Sequence, residues 1–296
     1  MKLAAVVVWY NPASLGKGIA KENILAYSSF VERVYVVDNS YENNLNLCES
    51  IKNAVYIPLR KNEGIAIALN IGCKHAFDDG FEWCMTMDQD SHWESTELSL
   101  YINKIKEKFS CSLDIKSFAP SIRKSFTHSV LGDVKWRLLH NFGIYEETLP
   151  DEEFCDRVIC SGNVINLNSW KSLGGFLDEL FIDEVDYEFC YRLREAGGRI
   201  LKLNSVHLDH VLGENKKTFL PLSSHKGRLY YIFRNMMYVN YLHPDFGKKY
   251  RYGKVMIKIV IANLIVTSPS HILQGIRCLF RAKADFKMMK KRNVEK

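Results

Sequence analysis

The sequence predicts an α/β fold with a mostly parallel central sheet flanked by helices, and three observations carry that prediction. Apolar runs rich in β-branched residues recur over about the first 90 residues, as in strands buried on both faces. Each run gives way to a turn and then to a segment with helical spacing, the alternation of right-handed βαβ units. Polar residues close the runs, so they should gather on one rim of the sheet, where α/β folds hold ligands.

The first run, Leu3-Ala4-Ala5-Val6-Val7-Val8-Trp9, stops at the turn signal Tyr10-Asn11-Pro12, and helical spacing follows to about Phe30. Val34-Tyr35-Val36-Val37 is the second strand and ends in Asp38-Asn39-Ser40. Val55-Tyr56-Ile57-Pro58 is a shorter third. Asn62-Glu63-Gly64 opens a helix over residues 65–77, built of small and aliphatic side chains. The fourth strand, Trp83-Cys84-Met85-Thr86-Met87, ends in Asp88-Gln89-Asp90. A helix is predicted over residues 96–109, and residues 110–154 are irregular. Order returns at Val158-Ile159-Cys160-Ser161-Gly162-Asn163-Val164-Ile165, before a short helical piece and Gly174-Gly175-Phe176. From Val185 to Ala196 the charged and apolar residues are spaced as in a helix, which Gly197-Gly198 breaks. Ile200-Leu201-Lys202-Leu203 is another short strand.

At 296 residues, 47% hydrophobic and 25% charged, the chain suits one large globular domain or two small ones. No repeat or low-complexity segment points to a solenoid or a linker. The 8 cysteines are scattered without a CxxC pair, which argues against zinc and for core thiols in a reducing compartment. Met1-Lys2 runs straight into a strand, so no secretory peptide is expected. The net charge of +6 hides an asymmetry. Residues 248–296 carry 13 Lys and Arg against Asp285 and Glu295, whereas the preceding residues hold 27 basic and 32 acidic ones. A basic tail on an acidic body points to an anionic partner. The tail's apolar run, residues 255–266, is interrupted by Lys258 and Asn263 and falls short of the roughly 20 residues that span a bilayer. A helix lying in the membrane interface fits its basic flanks, and a core helix with a solvated basic end is the alternative.

Asp88 and Asp90 are the candidate chemistry. In an extended chain, side chains at i and i+2 point to the same side, and two carboxylates so close repel unless a cation lies between them. A divalent metal carrying phosphate is one reading; a polar strand end with solvated aspartates is the other. Asp88-Gln89-Asp90 also invites comparison with haloacid-dehalogenase-type phosphatases. There the pair follows the first core strand, with Thr or Val two places after the second Asp. Here it follows the fourth, and His92 takes that place. A non-catalytic nucleotide- or glycan-binding module is a further alternative.

A longer series of motifs is more specific. It comprises Val8-Trp9-Tyr10-Asn11-Pro12, Val36-Val37-Asp38-Asn39-Ser40, residues 62–72 and Met87-Asp88-Gln89-Asp90. It continues with Ser161-Gly162, Gly174-Gly175-Phe176, residues 181–188, His207-Leu208-Asp209-His210 and Tyr230-Tyr231-Ile232-Phe233-Arg234-Asn235. In that order, over residues 3–240, the chain resembles a family 2 glycosyltransferase of the GT-A type, most closely its bacterial rhamnosyltransferase-like members.

The resemblance implies an inverting enzyme that uses a divalent metal, Mg²⁺ or Mn²⁺, and a nucleotide-diphosphate sugar, dTDP-L-rhamnose above UDP-hexoses. Asp90 becomes the direct metal ligand, with Asp88 on the ribose or the metal through water, and His210 a further ligand. Asp38 would accept the ring N–H of uracil or thymine, and Tyr10, Asn11 and Asn39 would lie beside base and ribose. Gly64 would allow close approach of phosphate at a helix start. Ser161, Gly162 and Arg234 are candidates for the diphosphate or acceptor, and Trp93 and Trp136 for stacking on sugar, against core packing. The family's Glu-Asp-x-Asp pattern falls on Val185-Asp186-Tyr187-Glu188, departing at its first and last positions. Asp186 is therefore the expected base, with Asp183 the alternative. The implied organisation is a GT-A domain over 1–245, with a nucleotide-binding half (1–110) and an acceptor-binding half (111–245), followed by a basic amphipathic helical tail (246–296). The implied acceptor is a glycan or lipid-linked glycan of bacterial surface polysaccharide synthesis, of the O-antigen kind. The enzyme would be cytoplasmic, peripheral on the inner face of the membrane through residues 250–296, with no nucleic-acid partner.

Overall fold

The computed structural model describes residues 1–16, 18–109, 114–124, 150–210, 228–251, 253–254, 257 and 269–294. Strands β1 (Leu3–Trp9), β2 (Arg33–Asp38), β3 (Ala54–Pro58) and β4 (Trp83–Asp88) pair in parallel in the order β3-β2-β1-β4. Helices α1 (Ile19–Ser28) and α3 (Ile65–Asp78) and the short α2 (Leu45–Cys48) connect them. Trp9 pairs with Asp38 and Val8 with Asp88, so the strand ends share one rim as expected.

β1 is buried throughout, and its side chains alternate between two cores. Leu3, Ala5, Val7 and Trp9 face a cluster with α1 and α4 (Ser95–Phe109), whereas Ala4, Val6 and Val8 face α3. Gly72 lets α3 approach the sheet, because a Cβ there would lie 2.4 Å from Val6 Cγ1. Gly72→Ala is expected to cost about 1–3 kcal/mol by overpacking, read as a lower midpoint in urea.

The second half makes the sheet mixed. β4 pairs antiparallel with β8 (Asn163–Asn166), β8 antiparallel with β6 (Ile115–Lys124), and β6 parallel with β9 (Arg199–His210). β5 (Ser91–His92) and β7 (Glu152–Cys155) each pair antiparallel with β9. β9 is 12 residues long, far beyond the apolar run at its start. Its polar stretch keeps the strand because Leu203, Val206 and Leu208 still point into the core.

Over the α3 face lie α5 (Leu167–Ser172), α6 (Val185–Glu195), α7 (Arg228–Leu242) and α9 (Pro269–Val294), with α8 (Pro244–Lys249) between the last two. α9 therefore packs on the body, burying Met289 near Met236 and Val239 and stacking Phe286 edge-on to Tyr241. Most of the run at 255–266, like Trp136, lies outside the described residues. Trp93 is 1% exposed and stacks on Tyr101, so it is a core residue. Among the described residues Cys48, Cys73, Cys84, Cys155, Cys160 and Cys190 form no disulfide, and no helix is long and apolar enough to cross a membrane.

Candidate active site

The rim is built by reciprocal hydrogen bonds between strand ends. Tyr10 N–H donates to Gln89 Oε1 at 2.9 Å, and Gln89 Nε2 donates back to Tyr10 O at 3.0 Å. Asn23 Nδ2 holds Gln89 O at 2.8 Å, and Asn11 N–H meets Ser40 Oγ at 2.9 Å. With its backbone clipped, Tyr10 leaves its side chain on the surface, 42% exposed.

Asp88, Asp90 and His210 each offer a ligand atom, and these atoms lie within 4.8 Å of one another. β9 delivers His210 from across the chain, because its last residue pairs with Ser91. A hydrogen-bonded arc fixes the group. Ser161 Oγ donates to Asp88 Oδ2 at 2.9 Å, Ser91 Oγ lies 2.6 Å from Ser161 Oγ, and His210 Nδ1 lies 2.6 Å from Ser91 Oγ. An ionised Asp88 only accepts, so Ser161 spends its proton there and Ser91 donates to Ser161. His210 Nδ1 then carries a proton toward Ser91, leaving Nε2 with the open lone pair. The Cys160 thiol donates to Asp88 Oδ1 at 3.1 Å. Burial, and next the charge of Asp88, push the Asp90 carboxyl up to about 6, against the pull of His210 and Arg228. Two carboxylates whose charges repel one another, beside an imidazole nitrogen, fit a hard divalent cation.

Asp38 is fully buried. Its Oδ2 accepts from Tyr56 at 2.5 Å and Asn44 Nδ2 at 2.9 Å, and its Oδ1 accepts from Ser40 N–H at 3.1 Å. One of its four acceptor positions, on Oδ1, stays open. Asn39 braces the loop before α3, donating to Asn62 Oδ1 and accepting from Glu63 N–H. At Gly64, with φ 88°, the close approach is made by the chain itself: a Cβ would lie 2.7 Å from Phe181 O. Phe181 O also takes the Ile65 N–H at 2.6 Å, so the start of α3 is capped from within.

Residues 181–184 form a strained loop before α6. Phe181, Asp183 and Glu184 have φ of 65°, 65° and 63°, each costing roughly 1–3 kcal/mol. Asn235, fully buried on α7, holds the loop by donating to the carbonyls of Leu180, Ile182 and Asp183 at 2.7–2.9 Å. Asn235→Ala is expected to lower stability by about 2–4 kcal/mol and to cut turnover more than donor affinity. Denaturant melts and initial rates check this.

Asp186 lies partly buried at the start of α6, accepting from Cys160 N–H at 3.2 Å and from its neighbour Tyr187 N–H at 2.9 Å. Burial, and next the charge of Glu184, raise its carboxyl to about 7. Asp183 is clamped instead: Arg228 Nη2 donates to Oδ1 at 2.8 Å, and Nε reaches both oxygens at 3.1 Å. Arg228, which no sequence motif singled out, also feels the charges of Asp88 and Asp90. Arg234 donates from Nη2 to the carbonyls of Glu179 and Leu180 and from Nε to Asn235 Oδ1, so among the described residues these hydrogen bonds brace the segment before the loop. Ser161 is buried in the arc, and Gly162 packs where a Cβ would meet Pro120 at 2.8 Å. Glu188 is fully buried and paired with Arg192 at 2.6 Å, away from solvent. Beside Ser161 and Tyr187 opens a cavity of about 270 Å³, also lined by Pro120, Glu153, Arg157 and Lys202.

Known proteins share this architecture. Residues 15–155 match the family model described as glycosyl transferase family 2. The dTDP-rhamnosyl transferase RfbF of Shigella flexneri is 28% identical over 244 residues, 78% of this chain and 77% of that protein. A fragment of S. aureus TarS, residues 1–349, solved with UDP-GlcNAc, superposes with a TM-score of 0.61 at 16% identity, covering 97% of this chain and 80% of the fragment. GalNAc-T7, solved with UDP, GalNAc and Mn²⁺, gives 0.56 at 14% identity, covering 80% of this chain. The chain spans 48% of that GalNAc-T7 chain and 39% of a longer TarS chain. The solved structures share the fold, and the family match together with the rhamnosyltransferase relative identifies the chemistry. The chain is a glycosyltransferase with the GT-A fold, similar over residues 15–155 to glycosyl transferase family 2 and over most of its length to a dTDP-rhamnosyl transferase.

Proposed function

We propose that this glycosyltransferase is inverting and metal-dependent, moving L-rhamnose from dTDP-L-rhamnose onto a glycan or lipid-linked acceptor of bacterial surface polysaccharide synthesis. The observation that carries the reading is Asp186, a partly buried carboxyl held at about 7 and joined to Asp88 through Cys160, whose N–H donates to Asp186 and whose thiol donates to Asp88. A base whose pKa lies near the working pH can be ionised and still accept a proton effectively.

Asp186 takes the proton of the acceptor hydroxyl, and one displacement at the sugar's anomeric carbon inverts its configuration. Asp183, the alternative base, is already occupied by Arg228. Asp90, with Asp88 and His210, would hold Mg²⁺ or Mn²⁺. A bound divalent ion supplies Lewis-acid stabilisation of the departing diphosphate. Asp88 otherwise contacts the ribose. The exposed ring of Tyr10 lies against the base, Asn11 sits beside the ribose, and the open position on Asp38 Oδ1 accepts the ring N–H. Arg228 adds positive charge on the diphosphate side. The cavity beside Tyr187 receives the acceptor. Residues 1–110 then form the nucleotide half, 111–245 the acceptor half, and 246–296 a basic tail that keeps the enzyme peripheral on the inner membrane face.

A UDP-hexose is the second donor reading. Uracil and thymine present the same N–H to Asp38, and TarS, of the same fold, has been solved with UDP-GlcNAc. Incubation with dTDP-L-rhamnose, UDP-glucose or UDP-GlcNAc, with Mn²⁺ and an acceptor-bearing membrane extract, separates the two. dTDP release with the rhamnosyl donor, and an inverted linkage by NMR, are expected. Release of inorganic phosphate from a phosphomonoester would instead support a phosphatase.

A further inference from the structure

Helix α9 has two apolar faces, and the fold uses one. Its inner face buries Ala282 and Met289 against α7, with Leu279 packed near Leu229 and Phe233. On the outer face Ile276, Phe280, Ala284 and Met288 follow one another at four-residue spacing, which aligns them in a row along the helix. Phe280 is 68% exposed, Met288 57% and Ile276 40%. Exposed Arg277, Lys283 and Lys287 flank this row, whereas Arg281 reaches back to Asp285 Oδ2 at 3.9 Å. Asp285, the acid within α9, turns inward, where the Tyr230 hydroxyl donates to it at 2.5 Å. The outer face is thus apolar and basic without an acidic side chain.

We propose that this outer face of α9 docks on an anionic lipid bilayer, the row of Phe280 and Met288 entering the headgroup region while the flanking Lys and Arg meet lipid phosphates. An apolar row bordered by basic residues is the pattern of helices that lie in a membrane interface, and anionic lipids concentrate such basic segments at the surface. A second copy of this chain is a poorer occupant. Isologous packing would set one basic face against another, and like charges across an interface are unfavourable. The sequence pointed to the run at 255–266 as the interfacial element. The structure assigns a separate face, on residues 276–288, to a helix already fixed to the domain. α9 lies along α7, which carries Arg228 and Asn235, so the site would be held one helix away from the lipid. The proposal rests on the reading of a membrane-borne acceptor, but its test requires no sugar transfer, so the two fail separately.

The full chain is sedimented with vesicles of phosphatidylcholine alone, or of phosphatidylcholine with about one third phosphatidylglycerol. Wild-type protein should pellet with the anionic vesicles and be released by raised salt. Phe280→Glu/Met288→Glu should weaken that binding at least about tenfold, and Arg277→Ser/Lys287→Ser, which spares the apolar row, about threefold to tenfold. Both variants should keep the wild-type melting temperature, since these side chains are exposed. Three outcomes would overturn the proposal: equal binding by Phe280→Glu/Met288→Glu, no binding by the wild type, or a wild-type dimer in light scattering that Phe280→Glu dissociates.

Discussion

Asp186→Asn is expected to abolish transfer, lowering turnover by about 10³-fold while leaving donor affinity unchanged, and at the same time to stabilise the protein at pH 8. Both effects come from one carboxyl. It titrates at about 7 in the folded chain against an ordinary value of 3.8. A raised carboxyl pKa means that the folded state binds the proton more tightly than the unfolded state does. Stability is therefore lost as pH climbs from about 4 through 7, and the full penalty, about 2–4 kcal/mol, is present above 7. Asparagine has no proton to lose and escapes it. The melting temperature of Asp186→Asn should exceed that of wild type by several degrees at pH 8, and the gap should narrow toward pH 5. Wild-type turnover should rise with pH through about 7 and then level. Unchanged turnover in Asp186→Asn would remove it as the base, and Asp183→Asn would then be the variant to assay.

The second large effect is expected at Asp90. Asp90→Ala should weaken metal-dependent donor binding by at least about 100-fold, because the remaining Asp88 and His210 leave too few ligands for a hard cation. Isothermal titration of dTDP in the presence of Mn²⁺ reads this directly. The metal-free protein should respond in the opposite sense. The Asp90 carboxyl is raised to about 6 by burial and by Asp88, so its ionised form opposes folding above that pH. Asp90→Asn should therefore raise the metal-free melting temperature at pH 7.5. Protons also compete with metal for Asp90, so Mn²⁺ affinity in wild type should fall about fivefold from pH 6 to pH 5.

The N-terminal half of the site was legible because it is local. Apolar runs announced β1 to β4, and parallel pairing then placed Asp38, Asp88 and Asp90 on one rim without further information. What the sequence left open depends on contacts between distant segments. His210 was named as a ligand only by the resemblance; it reaches Asp90 through the β5–β9 pairing, and β9 was visible as a strand only in its first apolar residues, since its later polar side chains alternate with the buried ones. Arg228 is one basic residue among many until its distance to Asp183 is known. The motif at 230–235 drew attention to Arg234, whereas Asn235 holds the strained loop through three carbonyls. Gly64 was read as room for phosphate, and the structure fills that room with Phe181. A turn glycine states that something comes close, and only the fold states what.

Asp88, Asp90 and His210 are proposed to bind the donor's diphosphate through a metal. Thermal stabilisation by dTDP, UDP and GDP, each with and without Mn²⁺, tests it most directly, because a ligand raises stability by mass action. In wild type, dTDP should raise the melting temperature with Mn²⁺ and do little without it, UDP should act less strongly, and GDP should have no effect. The shift should vanish in Asp90→Ala. Equal stabilisation by dTDP with and without Mn²⁺, retained in Asp90→Ala, would contradict a metal-borne diphosphate at this site.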